Sequence, residues 1–248
     1  MDNVKKNKFL SFISNVNFIK AIILIAIYFG AAYGLSELLV LIIKNTFSQE
    51  FIVKYVNYLE ISINLIIDTI VLIVGLILYR KQISEQLIKS KNGSFKAILG
   101  GGLVLFYLVN FCTSLVVQSF ETTTSQNQTA IESLMFSSEL GFILMFILVV
   151  FTGPIVEELV FRKAMFKISS NEWVCLGISS FVFGFIHVLS TPGHLGIKLL
   201  TSIPYIGSGF VFGFWYIKND RNIIVTIALH MLSNLISVIL IVLLTFSS

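Results

Sequence analysis

Apolar residues come in long unbroken runs separated by short polar stretches. The runs fall roughly at 18–43, 61–79, 97–119, 140–168, 173–189, 199–217 and 222–245. Most have the length of about 20 residues that a helix needs to cross a bilayer. Within hydrocarbon, a helix satisfies its own backbone polar groups, so runs of this kind predict an all-α, polytopic transmembrane helical bundle with about seven or eight spans. The 140–168 run is too long and too charged at its end to lie wholly in lipid, and is expected either to project beyond the bilayer or to bend at Gly153-Pro154. The 119–139 stretch reads as a loop. Residues 1–120 form N-terminal helices without a motif, 121–248 carry the polar motifs, and the two make a single integrated membrane domain.

Composition strengthens this reading. Hydrophobic residues make up 56% of the 248 and charged residues only 12%, against about 25% charged in a soluble domain. The net charge of +4 does not point to nucleic acid, because the lysines sit at the ends of apolar runs and suit topology and contact with the lipid bilayer. Lys5, Lys6 and Lys8 precede the first run, Arg80, Lys81, Lys89, Lys91 and Lys96 follow the second, and Lys163, Lys167, Lys218 and Arg221 lie in later connections. The 119–139 segment has neither Lys nor Arg. Basic connections face the cytoplasm, which predicts a cytoplasmic N-terminus. Usage rich in Ile, Lys and Asn, with only three Arg, resembles an AT-rich bacterial genome and hence a bacterial cell membrane. Cys112 and Cys175 lie in different runs and predict no disulfide.

Ionisable residues inside apolar runs are costly, about 2.5–3.5 kcal/mol each at a helix centre, and so demand a partner or a function. Glu37, Asp68, Glu157, Glu158, Arg162, His187 and His230 qualify. Glu158 and Arg162 are four apart and share a helix face, while Glu157 points about 100° away. A carboxylate with a tunable proton affinity suits a general base for water. Phe183 and His187 share one face, and His230 and Asn234 another; the latter pair can aim N–H donors at a developing oxyanion. Glu157 lies as far before Glu172 as His187 lies after it, so a helical hairpin turning there brings them level, about 22 Å from the turn. Glu37 and Asp68 face a cavity or each other, His194 belongs to an exposed loop, and Gly207, Gly209 and Gly213 suit close helix approach.

Glu157-Glu158-x-x-x-Arg162, Phe183-x-x-x-His187 and His230-x-x-x-Asn234, in order on successive helices, resemble the CAAX protease and bacteriocin-processing family, which includes the CAAX prenyl endopeptidases. The resemblance covers about 140–240. It implies an intramembrane endopeptidase in which Glu157 and His187 activate water, His230 and Asn234 form the oxyanion site, and Glu158, Arg162 and Phe183 support them. It implies a peptide or membrane-protein substrate, with roles in peptide maturation, secretion or bacteriocin self-immunity. A metal-free glutamate mechanism needing no cofactor is the expectation, although Glu157, His187 and His230 can also supply a zinc site; there is no His-Glu-x-x-His.

Two other functions fit the same residues. A proton-coupled transporter would use the acids and histidines as a relay, and a non-enzymatic bacteriocin-immunity scaffold would keep the fold without the chemistry. Taken singly, Glu158–Arg162 also reads as a structural ion pair, and His230 with Asn234 as interhelical glue.

Overall fold

The computed structural model describes residues 15–90, 95–120 and 125–247. Lys5, Lys6, Lys8 and Lys91, part of the topology argument, lie outside them. The described residues are helical and contain no strand, as the unbroken apolar runs require. In chain order the helices are α1 (Val16–Thr46), α2 (Gln49–Ser90), α3 (Phe95–Gln118), α4 (Gln126–Met135), α5 (Glu139–Lys167), α6 (Glu172–Ile186), α7 (Leu195–Lys218) and α8 (Ile223–Ser247). Six of these are long and apolar enough to cross a membrane. The expected fifth span, α6, is shorter at 15 residues, about 22 Å.

Two elements differ from expectation. α2 continues far beyond the 61–79 run, to 42 residues or about 63 Å. Hydropathy marks only the part that meets lipid, and the polar flanks around Lys54 and Gln86 extend the helix. α4 lies where a loop was expected, capped by Ser125, whose Oγ accepts from Gln128 N at 3.2 Å. Ser125-Gln-Asn-Gln128 is a capping-box pattern, so this start was readable.

Side-chain bonds define the two ends of the bundle. At one end Gln86 on α2 donates to Arg221 O and accepts from Ile223 N. Gln82 there reaches Asn17 at the start of α1, and Arg221 pairs with Glu172 at 3.0 Å. At the other end Tyr58 bonds Ser138, and Ser125 bonds Tyr205. Arg80, Lys81, Lys89, Lys167, Lys218 and Arg221 lie toward the first end, the basic end, against Lys44, Lys54 and Lys198 toward the other.

α5 is the centre of the bundle, with α1, α2, α6, α7 and α8 packed around it. It is not a regular α-helix. π-helical turns at Leu148–Thr152 and Leu159–Ala164 flank a short α-helical piece, Gly153–Glu158. At Gly153-Pro154, where a bend was one of the two expectations, the helix changes hydrogen-bond register. α7 packs most extensively on α6 and then on α3. Glycines permit this approach: a Cβ on Gly209 would sit 3.1 Å from Ser180 Cα, and one on Gly213 would meet Leu176.

Candidate active site

The second π turn places Arg162 one helical step from Glu158. Their salt bridge is 3.1 Å long and both side chains are fully buried. The guanidinium also donates to Gly209 O at 3.0 Å and lies over the Phe183 ring at 4.7 Å. The close approach of α7 at Gly209 thus supplies an acceptor as well as packing. Glu158 Oε1 takes a second partner, His230 Nδ1, at 3.0 Å.

Glu157, about 100° round the helix, faces a cavity of about 850 Å³. Its two oxygens meet two imidazoles: Oε1 lies 3.7 Å from His187 Nε2, and Oε2 lies 3.7 Å from His230 Nε2. α5 and α6 therefore bring Glu157 and His187 to one level, as the hairpin arithmetic predicts.

Each imidazole is oriented by its other nitrogen. α6 ends at Ile186, and the last-turn carbonyls of a helix lack intrahelical donors. His187 Nδ1 bonds one of them, Phe183 O, at 2.7 Å. A carbonyl only accepts, so Nδ1 carries the proton, and in the neutral ring Nε2 turns a lone pair toward Glu157. Tyr205 stacks on the same ring at 4.8 Å. His230 Nδ1 faces a carboxylate and also donates, while Phe212 stacks on its ring at 4.2 Å.

Asn234 has an unexpected partner. Gly153 N bonds Leu148 O in the first π turn. In that register the next bond would run from residue 154 to Val149 O, but Pro154 has no N–H. Asn234 Nδ2 fills the gap, donating to Val149 O at 2.8 Å. The residue still lines the cavity, with one amide N–H committed to the backbone just before Glu157.

All seven residues named from the sequence, Glu157, Glu158, Arg162, Phe183, His187, His230 and Asn234, converge on this place. Other candidates separate. Glu37 is exposed, and His194 is an exposed cap that accepts from Gly196 N. Cys112 and Cys175 are free. Asp68 joins the cavity wall, bonded to Thr152 Oγ1 at 3.3 Å and close enough to Glu157 for the two carboxylates to repel. Its position in an apolar run was the available signal. Tyr205 and Phe212 carried no such signal, because aromatic residues are common throughout the chain.

Glu157, His187 and His230, the residues offered for zinc, do meet. Among the described residues, however, no three His, Cys, Asp or Glu side chains are disposed to hold a metal ion. At 3.7 Å each imidazole Nε2 is too far from Glu157 for a direct hydrogen bond, and a water seated beside the pair can bridge the Glu157 carboxylate and the His187 lone pair.

Residues 139–236 match the family model described as Rce1-like, type II CAAX prenyl endopeptidase. This segment is similar to the CAAX protease family. It begins at the start of α5, includes all three motifs and ends in α8 just after Asn234. An uncharacterized protein of Mycoplasma capricolum subsp. capricolum is 26% identical over 220 residues, 86% of this chain and 63% of the relative. The chain thus spans 63% of the length of that curated relative. No solved structure matches. Six helices among the described residues are long and apolar enough to cross a membrane, which fits an integral membrane protein.

Proposed function

We propose that this protein is an endopeptidase that hydrolyses peptide bonds of membrane-associated or peptide substrates with Glu157 as general base. The observation that carries this reading is the Glu157 carboxylate, placed at the cavity wall between His187 Nε2 and His230 Nε2. A water there gives one hydrogen to Glu157 and the other to the His187 lone pair. Its oxygen then attacks the substrate carbonyl carbon as Glu157 takes the proton. When His230 carries protons on both ring nitrogens, Nδ1 donates to Glu158 and Nε2 is free to donate to the oxyanion. As the intermediate collapses, the C–N bond breaks and Glu157 returns its proton to the leaving amine.

Asn234 joins in chiefly by holding the backbone before Glu157, leaving its second N–H for the oxyanion. Glu158 and Arg162 place two opposite charges beside the site, and their pairing keeps the buried cluster tolerable in an apolar medium. No step here is routed through a metal.

Cleavage of an internally quenched peptide library by detergent-purified protein tests the reading. Glu157→Gln is expected to lower kcat by more than a thousandfold, with folding and substrate binding retained, and chelator is expected to leave wild-type activity intact. Cleavage by Glu157→Gln at the wild-type rate would overturn the assignment of the base. Loss on chelation, restored by zinc, would overturn the metal-free mechanism. Proton flux driven by a solute, with no cleavage, would favour the transporter.

A further inference from the structure

The cavity is one-sided. At the level of Glu157 its floor is formed with Phe183, His187, Phe212 and His230. From there the wall continues only toward the end of the bundle that carries α4. It reaches Gln118, the last residue of α3, and Ser125 and Gln128 at the start of α4. Toward the basic end no described residue of α5 beyond Glu157, of α7 beyond Phe212 or of α2 beyond Asp68 takes part. Below the floor Leu159, Val160, Phe161 and Ala164 are fully buried and close the bundle. Basic connections face the cytoplasm, so the mouth opens on the opposite side of the membrane.

The wall is also chemically selective. Asn64, Asn110, Gln118, Asn127 and Gln128 line it from three helices. Asn64, Asn110 and Gln128 each spend one amide N–H within their own helix, and the donor and acceptor capacity that remains suits the paired N–H and C=O groups of an extended peptide rather than a hydrocarbon chain. The carboxylates Glu60, Asp68 and Glu157 line the cavity, and among the described residues no Lys or Arg lines it. A free C-terminal carboxylate entering here would meet these like charges before it reached His187 or His230, with no described lysine or arginine to pair with, a repulsion strengthened in low dielectric.

Resting on the peptidase reading above, we propose that the cavity takes an internal segment of a polypeptide presented from the non-cytoplasmic side of the membrane. A lipid-modified C-terminal tail offered from the cytoplasm does not fit it. The site is then a processing or degrading centre for exported or membrane-anchored chains, cut at a bond flanked on both sides by peptide.

Two measurements test this. The first offers purified protein three quenched peptides with one scissile sequence. One is blocked at both ends as acetyl and amide, one carries a free carboxylate three residues past the scissile bond, and one has that same tail farnesylated. The blocked peptide is expected to have a kcat/KM at least tenfold above the other two; preference for the free or farnesylated tail would overturn the proposal. The second reads the side directly, with Cys112 and Cys175 replaced by Ser. In spheroplasts of an expression host, Gln128→Cys is expected to react with a membrane-impermeant maleimide, and Lys218→Cys only after permeabilisation. The reverse pattern would overturn the proposal whatever the cleavage result. If folded protein cuts none of the peptides while Gln128→Cys labels from outside, the peptidase reading fails and the outward-facing cavity stands.

Discussion

Arg162 shows how a full charge is tolerated at the centre of an apolar bundle. Its guanidinium has a carboxylate, a backbone carbonyl and an aromatic face as neighbours, and no exposure. Removing one partner of a buried pair leaves the other uncompensated and typically costs about 3–5 kcal/mol. Arg162→Met is therefore expected to destabilise the protein by about that amount, read as a fall in thermal unfolding midpoint in detergent. Arg162→Met combined with Glu158→Leu removes both charges and is expected to recover part of the loss. His230 gains a second consequence, because Glu158 Oε1 holds its Nδ1. Glu158→Gln keeps the shape but weakens that hold, so it is expected to lower kcat more than stability.

Among the elements, α5 carries the unusual design. Regular α-helix would pair residue 154 with Val150 O, but proline removes the donor and the π turn moves the vacancy to Val149 O. α8 closes it through Asn234. The link between Pro154 and Asn234 predicts non-additive mutations. Asn234→Ala is expected to cost about 1–3 kcal/mol by leaving a buried carbonyl unpaired. In a Pro154→Ala background residue 154 supplies its own N–H, and the cost of Asn234→Ala is expected to shrink by about half or more. A double-mutant cycle on unfolding midpoints checks this. Additive losses would mean that the two positions do not share one carbonyl.

At the scale of the whole molecule, helices without any motif complete the site. Phe106 on α3 stacks on Phe212, which stacks on His230. Tyr28 on α1 meets Phe161 edge-on at 5.7 Å, and Asp68 reaches the site from α2. We therefore expect residues 121–248 expressed alone to lack both cooperative unfolding and activity. Co-expression with residues 1–120 is expected to restore a protease-resistant complex. Resistance to limited proteolysis and co-purification of the two pieces decide this, and a stable, active 121–248 fragment would show a separable domain.

The membrane class, the helical fold and the set Glu157, Glu158, Arg162, His187, His230 and Asn234 were determined by the sequence itself. In hydrocarbon every polar residue is costly, so those that remain stand out against the apolar runs, and helical periodicity assigns their faces. Tertiary structure alone decided what each one touches. That His230 bonds Glu158 through Nδ1 while its Nε2 faces Glu157 follows from which face of α5 meets α8. That Asn234 serves Val149 follows from a π register that no local pattern encodes. Asp68, Tyr205 and the one-sided cavity come from helices far apart in the chain, where the side chains that meet depend on how whole helices cross.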